Sequence, residues 1–238
     1  MRPGEEARAL PTSLRPDAGG TAPVLPPGWR LEVFDTLPST SDWLIQQAEQ
    51  GAPEGLAVLA GRQTAGRGRN GRQWASPQGN LYLSVLLRPA GTAREAGQWA
   101  LLAGVALFEA AVALDDGPQG RLAWLVLGIG VNLAAAPALP DRPTAMLGGG
   151  EAPEAFAARL LARLDHWCRV QAAQGFAPVR AAWEAAGPRR GTALTVRLGE
   201  GSIAGRYAAL AEDGSLLLET EQGLRRITAG EVAAMEAR

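Results

Sequence analysis

The chain of 238 residues contains no lysine: all 23 of its basic side chains are arginine, set against 24 acidic ones for a formal net charge of −1. An accompanying excess of alanine, glycine and proline points to a GC-rich coding sequence as the simplest source. The consequence is nonetheless chemical. No side-chain amine exists to form a Schiff base, to act as a lysine base, or to supply the compact ammonium of a P-loop. A single cysteine, Cys168, excludes a disulfide framework and a cysteine zinc cluster, and suits a reducing compartment. The single histidine, His166, excludes a multi-histidine metal site. No apolar run approaches the roughly 18 residues of a membrane span; even residues 122–133 are interrupted by Gly128 and Gly130. The first residues carry proline and glycine in place of the compact apolar core of a secretory signal. A cytoplasmic protein with no membrane partner is expected.

What is present is ordinary globular composition, 47% hydrophobic and 20% charged. Residues 1–28 hold six prolines and few large apolar side chains, so they are expected to form a poorly ordered arm. Those prolines interrupt every helical window, and no helix-turn-helix can be placed before Trp29. Residues 29–190 read as one large domain. It begins with a short strand at 31–34 and a helix whose start, Ser39-Thr40-Ser41-Asp42, has the form of a capping box. Strands are expected at 56–60, 81–87 and 122–133. Leu101, Val105, Phe108 and Val112 lie at helical spacing and predict a helix over 99–114. A long helix is expected around Phe156, Leu160, Leu164 and Trp167, and a shorter one around 181–186. From about residue 191 the hydrophobic period changes to two, with turns at Gly199-Glu200-Gly201 and Asp213-Gly214, so 191–238 reads as a small β module.

Between the strands at 56–60 and 81–87 runs a loop from Gly61 to Trp74 that carries Arg62, Arg67, Arg69 and Arg72 spaced by glycines. Residues 55–94 contain six arginines and no acid. Backbone N–H groups of a glycine-rich loop can approach an anion closely, and guanidinium forks bind oxygens in pairs, so phosphate is the natural ligand. Trp74 offers a rigid wall for a planar group. A solvated arginine loop or an arginine–glycine segment on nucleic acid is the competing explanation; near-neutral net charge argues against nucleic acid. Neither a Walker A loop nor a dinucleotide fingerprint occurs, since Gly128-Ile129-Gly130-Val131-Asn132 lacks the third glycine.

Gln63-Thr64-Ala65-Gly66-Arg67-Gly68-Arg69-Asn70-Gly71-Arg72-Gln73-Trp74, with Ser76-Pro77 and Asn80-Leu81-Tyr82 after it, closely resembles the ligand loop of the biotin protein ligases. Ser39-Thr40-Ser41 is similar to that family's Ser-Thr-Asn, and residues 128–132 to its Gly-Ile-Gly-Ile-Asn strand. The resemblance runs from Phe34 to Arg238 in consistent order and implies an α+β fold. Its parts would be a class II synthetase-like mixed sheet with flanking helices and a small C-terminal SH3-like β barrel. It also implies an activity: ATP-dependent ligation of biotin, through biotinyl-5'-adenylate, to a lysine of a biotin carboxyl carrier protein. Biotin and ATP would be substrates and Mg2+ the accompanying ion. By the same resemblance Ser39, Thr40, Ser41 and Gln63 would bind the biotin ureido group. Arg67, Gly68 and Arg69 would close over the valeryl and phosphate portion, with Arg67 and Arg69 in the catalytic role. Arg69, Arg72, Trp74 and Asn132 would lie on the nucleotide side. The family is found as monomer or homodimer.

Family members also carry, between the central helix and the Gly-Ile-Gly strand, a segment with Lys-Trp-Pro-Asn-Asp and a second lysine. Here only residues 115–120 stand between the expected helix and strand, and the chain has no lysine to replace it. An inactive biotin- or adenylate-binding relative and a lipoate or octanoyl transferase-like protein are the alternatives; octanoyl transfer calls for a nucleophilic thiol. Cys168, beside Trp167 in a helical apolar stripe, reads as core, and so do Trp124 and Trp183. His166 is expected at the surface or in a hydrogen bond.

Overall fold

The computed structural model describes residues 24–68, 74–92, 95–106, 110–116, 121–138, 144–199, 201–228 and 230–235. Most of the expected N-terminal arm, together with Arg69, Arg72, Phe108 and residues 117–120, lies outside them. Of the described part of the arm, Leu25 lies against the main core while Val24 is exposed; Trp29, where the large domain begins, packs on the same core and its Nε1 donates to Asp165 at 3.1 Å.

The first sheet has the order β1 (Arg30–Phe34), β2 (Leu56–Ala60), β3 (Leu81–Leu87), β5 (Leu122–Val131), β4 (Ala110–Asp116). β1 and β2 run parallel, joined by helix α1 (Thr40–Glu49); the other neighbours are antiparallel. Every residue of β2 and β3 is buried because the sheet is covered on both faces. Alternate residues divide between the two sides. Leu81, Leu83, Val85, Leu125, Leu127 and Ile129 pack with α2 (Ala96–Ala106), α3 (Pro153–Gln174) and α4 (Ala177–Ala186). Leu86, Trp124 and Val126 pack with Leu44 and Ala48 of α1. Ser39 caps α1 as expected, its Oγ accepting from Asp42 N–H at 3.2 Å. At the other end of α1 the Arg88 guanidinium donates to the carbonyls of Ala48 and Ala52, supplying a cation where the helix dipole favours one.

One element differs from the sequence expectation. The helix predicted over 99–114 ends at Ala106, and residues 110–116 form β4, an edge strand in antiparallel register with β5 from Ala110↔Ile129 to Asp116↔Leu122. Alanine-rich Ala110–Asp116 has no strong intrinsic claim to a strand; pairing with the otherwise open edge of β5 overrides its helical preference.

The second sheet is antiparallel throughout, with the order β10 (Glu231–Met235), β6 (Ala193–Leu198), β7 (Gly201–Leu210), β8 (Leu216–Thr220), β9 (Gly223–Ile227). Its core of Leu194, Val196, Tyr207, Leu218 and Ile227 is small, and it docks on α2 and α4. Trp183 of α4 lies 6.1 Å from the Tyr207 ring, Glu184 Oε1 accepts from Leu210 N–H at 3.1 Å, and Gln98 Nε2 donates to the Glu212 carbonyl. Asp213 holds the docking turn. It accepts from Arg226 Nη2 at 2.7 Å and from Ser215 N–H at 3.0 Å, and the Arg226 hydrogen bond, the largest cause, holds its carboxyl down at about 2. The folded value lies below the ordinary one, so this stabilisation is complete above the ordinary carboxylate range and is lost as pH falls toward about 2. Asp213→Asn should therefore lower Tm near neutral pH, and the difference from wild type should vanish as the melting series reaches about pH 2.

Candidate functional site

In antiparallel pairs, directly opposed residues share a face, and three such pairs place Leu86 with Val126, Ser84 with Gly128, and Tyr82 with Gly130. The first of these pairs belongs to the core beneath α1. Farther along the same face β5 offers only Gly128 and Gly130, so its side-chain layer stops and the sheet backbone is left bare. The N-terminus of α1, residues 61–68 and Trp74 gather around this bed.

Trp74 lies on it directly. A Cβ at Gly130 would stand 2.9 Å from Cζ2 of the indole, so only glycine there lets the ring approach the strand. The Trp74 N–H donates to the Gly66 carbonyl at 2.9 Å, while the buried indole Nε1 has no hydrogen-bond partner. Tyr82 Oη donates to the Pro77 carbonyl at 2.6 Å and fixes the segment that follows Trp74; burial pushes its phenol up to about 12, so it remains a donor.

Gln63 is drawn to α1 by an isolated parallel bridge between Leu37 and Gln63. Its Oε1 accepts from Thr40 N–H at 2.8 Å and from Thr40 Oγ1 at 3.0 Å. Thr40 Oγ1 in turn accepts from Ser84 Oγ at 2.9 Å, and Ser84 Oγ lies 3.0 Å from Ser41 Oγ. A Cβ at Gly66 would meet Gln63 Nε2 at 2.9 Å, so this glycine gives the amide its space. Arg67 extends from the same loop and its guanidinium pairs with Asp42 in the first turn of α1; both side chains are substantially exposed.

The structure therefore brings together Ser39, Thr40, Ser41, Gln63, Arg67 and Trp74. Gly68 follows on the described chain, and Arg69 and Arg72 lie outside it. Asn132 sits at the end of β5, where its amide donates to the Ala145 carbonyl at 3.1 Å and its Oδ1 accepts from Asn80 Nδ2 at 3.3 Å.

Two residues of this architecture had no role assigned from the sequence, Asn80 appearing only within the motif and Ser84 not at all. Asn80 is buried, and its Oδ1 accepts from the N–H groups of Leu133, Ala134 and Ala135 at 3.0, 2.9 and 3.0 Å, which fixes the chain as it leaves β5. Ser84 is fully buried in the middle of β3. The one serine in the otherwise apolar and aromatic run Leu81-Tyr82-Leu83-Ser84-Val85-Leu86-Leu87 was the available signal, because a buried polar group needs a partner.

Residues expected to be structural are so placed. Trp124 is in the core under α1 and Trp183 packs on Tyr207. The His166 ring lies edge-on to Trp167. Cys168 packs on the main core, where burial, with Asp165 and Glu54 adding to it, pushes the thiol up to about 12. Such a thiol is a poor nucleophile. Among the described residues no group of three or more His, Cys, Asp or Glu could hold a metal ion, and no helix is long and apolar enough to cross a membrane.

Residues 33–126 match the Biotin/lipoate A/B protein ligase family, and residues 191–234 match the Biotin protein ligase C terminal domain. The biotin–[acetyl-CoA-carboxylase] ligase of Paracoccus denitrificans is 34% identical over 213 residues, which cover 74% of this chain and 88% of the relative. The bifunctional ligase/repressor BirA of Bacillus subtilis is 28% identical over 240 residues, 86% of this chain and 74% of the relative. A solved structure of the biotin protein ligase from Aquifex aeolicus, in complex with biotin and ATP, superposes with a TM-score of 0.67 at 23% identity; it covers 88% of this chain and 99% of that one, so the fold is shared. With both family segments in order and a relative of this identity aligned over most of its length, the chain belongs to the biotin protein ligases.

Proposed function

We propose that the chain joins biotin to ATP and passes the biotinyl group to a lysine of a biotin carboxyl carrier protein. In the first step a biotin carboxylate oxygen bonds to the α-phosphorus and the bond to pyrophosphate breaks. In the second, the carrier amine attacks the acyl carbon, AMP leaves, and the amine proton passes to solvent. Both steps gather negative charge on phosphate oxygens, so the protein's contribution is positioning and charge neutralisation.

The observation that carries this reading is the hydrogen-bonding pattern at the α1 N-terminus. Thr40 N–H can only donate, so the Gln63 atom it meets is the carbonyl oxygen, and the amide Nε2 remains to donate to a ligand. Ser39 Oγ accepts from Asp42 N–H and keeps its proton free. Thr40 Oγ1 and Ser41 Oγ keep lone pairs. Donors for a carbonyl beside acceptors for N–H groups suit a cyclic urea, the head of biotin; the dithiolane of lipoate has neither. Arg67, Gly68 and Arg69 would then cover the carboxylate and α-phosphate and exclude water from the adenylate. Arg72, Trp74 and Asn132 would serve the nucleotide, and the unpartnered Trp74 Nε1 is a donor available to it. Among the described residues no carboxylate cluster offers a cage for Mg2+, which would arrive with the ATP phosphates as part of that substrate. No step is assigned to it. The first sheet with its helices is the class II synthetase-like catalytic domain in this reading, over 29–190, and 191–238 the SH3-like module. Monomer and homodimer are both compatible with it.

Incubation with biotin, ATP, Mg2+ and a carrier domain should add one biotin to the carrier, read by intact mass, and a carrier whose acceptor lysine is arginine should gain none. Calorimetry distinguishes the alternatives. Biotin binding without transfer would select an inactive relative, and lipoate binding in preference to biotin would select the transferase-like protein.

A further inference from the structure

Ser84 lies on a strand, fully buried, yet it joins the hydroxyls of Thr40 and Ser41 at the head of α1. The directions follow from one backbone N–H. Thr40 N–H identifies its partner as Gln63 Oε1, an atom that can only accept, so the Thr40 hydroxyl spends its single proton on that oxygen. Thr40 Oγ1 therefore has no proton for Ser84, and Ser84 must donate to it. That consumes the Ser84 proton, so the contact between Ser84 and Ser41 must carry the proton of Ser41. The chain runs one way, Ser41 to Ser84 to Thr40 to Gln63. It leaves lone pairs on Ser41 and Thr40 and the Nε2 protons on Gln63 for whatever lies on the glycine bed.

We infer that Ser84 is a positioning residue for ligand specificity: by taking the Ser41 proton and filling one lone pair of Thr40, it holds both hydroxyls as acceptors toward the N–H groups of a cyclic urea. Without Ser84 the Ser41 proton is free to rotate toward the ligand, and the site presents a donor where the urea also presents one. The inference rests on the biotin reading above. The position suits the role physically. Residue 84 lies opposite Gly128, at the point where the β5 side-chain layer ends, and the low dielectric around a buried hydroxyl chain strengthens each link.

The test is Ser84→Ala, with calorimetry for biotin and steady-state kinetics for ATP. Biotin Kd should rise about tenfold, on the scale of one misdirected hydrogen bond, with the KM for ATP unchanged and Tm lowered little. Wild type should discriminate strongly against the cyclic carbamate analogue of biotin, in which one ring N–H is replaced by oxygen, and Ser84→Ala should lose much of that preference. Ser84→Cys, with a weak donor, should fall between the two. In a Thr40→Val background the Ser84 substitution should cost less than it does alone. A wild-type chain that binds biotin while Ser84→Ala binds it equally well, or keeps the full preference over the carbamate, overturns the role of Ser84 alone. Equal losses for biotin and ATP overturn it in favour of a purely structural role. A wild-type chain that binds no biotin overturns the ligand assignment and this inference together.

Discussion

Arg67→Ala should lower biotin-dependent exchange of pyrophosphate into ATP by about a hundredfold or more, the usual scale for removing one group that stabilises developing charge, while leaving Tm almost unchanged. The two halves of this expectation have separate causes. The Arg67 guanidinium pairs with Asp42, and both partners are well exposed. Exposed ion pairs of this kind are worth about 0–1 kcal/mol, so losing one costs little stability. Asp42 stands in the first turn of α1, beside the cap that orders Ser39. An arginine held there is therefore close to the proposed urea site and free to swing onto an anion. The missing lysine raises the stakes: with no side-chain ammonium anywhere in the chain, arginine must supply the positive charge. Arg67→Lys is then a sharp companion variant. It restores the charge without the paired donors of the guanidinium fork, and should recover only part of the rate. A large fall in Tm for Arg67→Ala with exchange preserved would assign the residue to the fold.

The same absence predicts an all-or-none result. An acyl adenylate that escapes its site reacts with nearby amines, and the usual victims are the lysines of the enzyme that made it. This chain has none. After prolonged incubation with biotin and ATP, peptide mapping should find no biotin amide on any side chain, so that labelling is limited to the α-amino group. The one thiol is no substitute, since Cys168 is packed on the core and its thiol is pushed up to about 12. A lysine-bearing bystander protein in the same tube should be labelled, and far less heavily with Arg67→Ala, which slows formation of the adenylate. Side-chain amides on the chain itself are chemically impossible under this account. A chain carrying one lysine introduced by Arg62→Lys, at an exposed position beside Gln63, should become labelled at that residue.

Much of the architecture was legible because the relevant signals are local. The Ser39 cap, the alternating β module and the apolar runs of β2, β3 and β5 each report a backbone preference that the fold keeps. Residues 110–116 show the limit. Their helical spacing is genuine, but the edge of β5 is a distant fact that no window around Val112 contains. The site was half legible for the same reason. Gln63, Arg67 and Trp74 stand in a conspicuous loop, and Ser39-Thr40-Ser41 in a conspicuous cap. Their alliance with Ser84 spans more than forty positions and appears only when β3 passes beneath α1. Asn80 is similar: one asparagine ties three successive N–H groups more than fifty residues away, and a single side chain in a sequence carries no sign of such a reach.

Biotin-dependent exchange of radiolabelled pyrophosphate into ATP, with no carrier protein present, tests the central claim most directly, because it isolates the activation of biotin by a chain that has no lysine. The account predicts exchange that requires biotin, saturates with it, and falls with Arg67→Ala. No biotin-dependent exchange at high concentrations of folded protein and both substrates would contradict it.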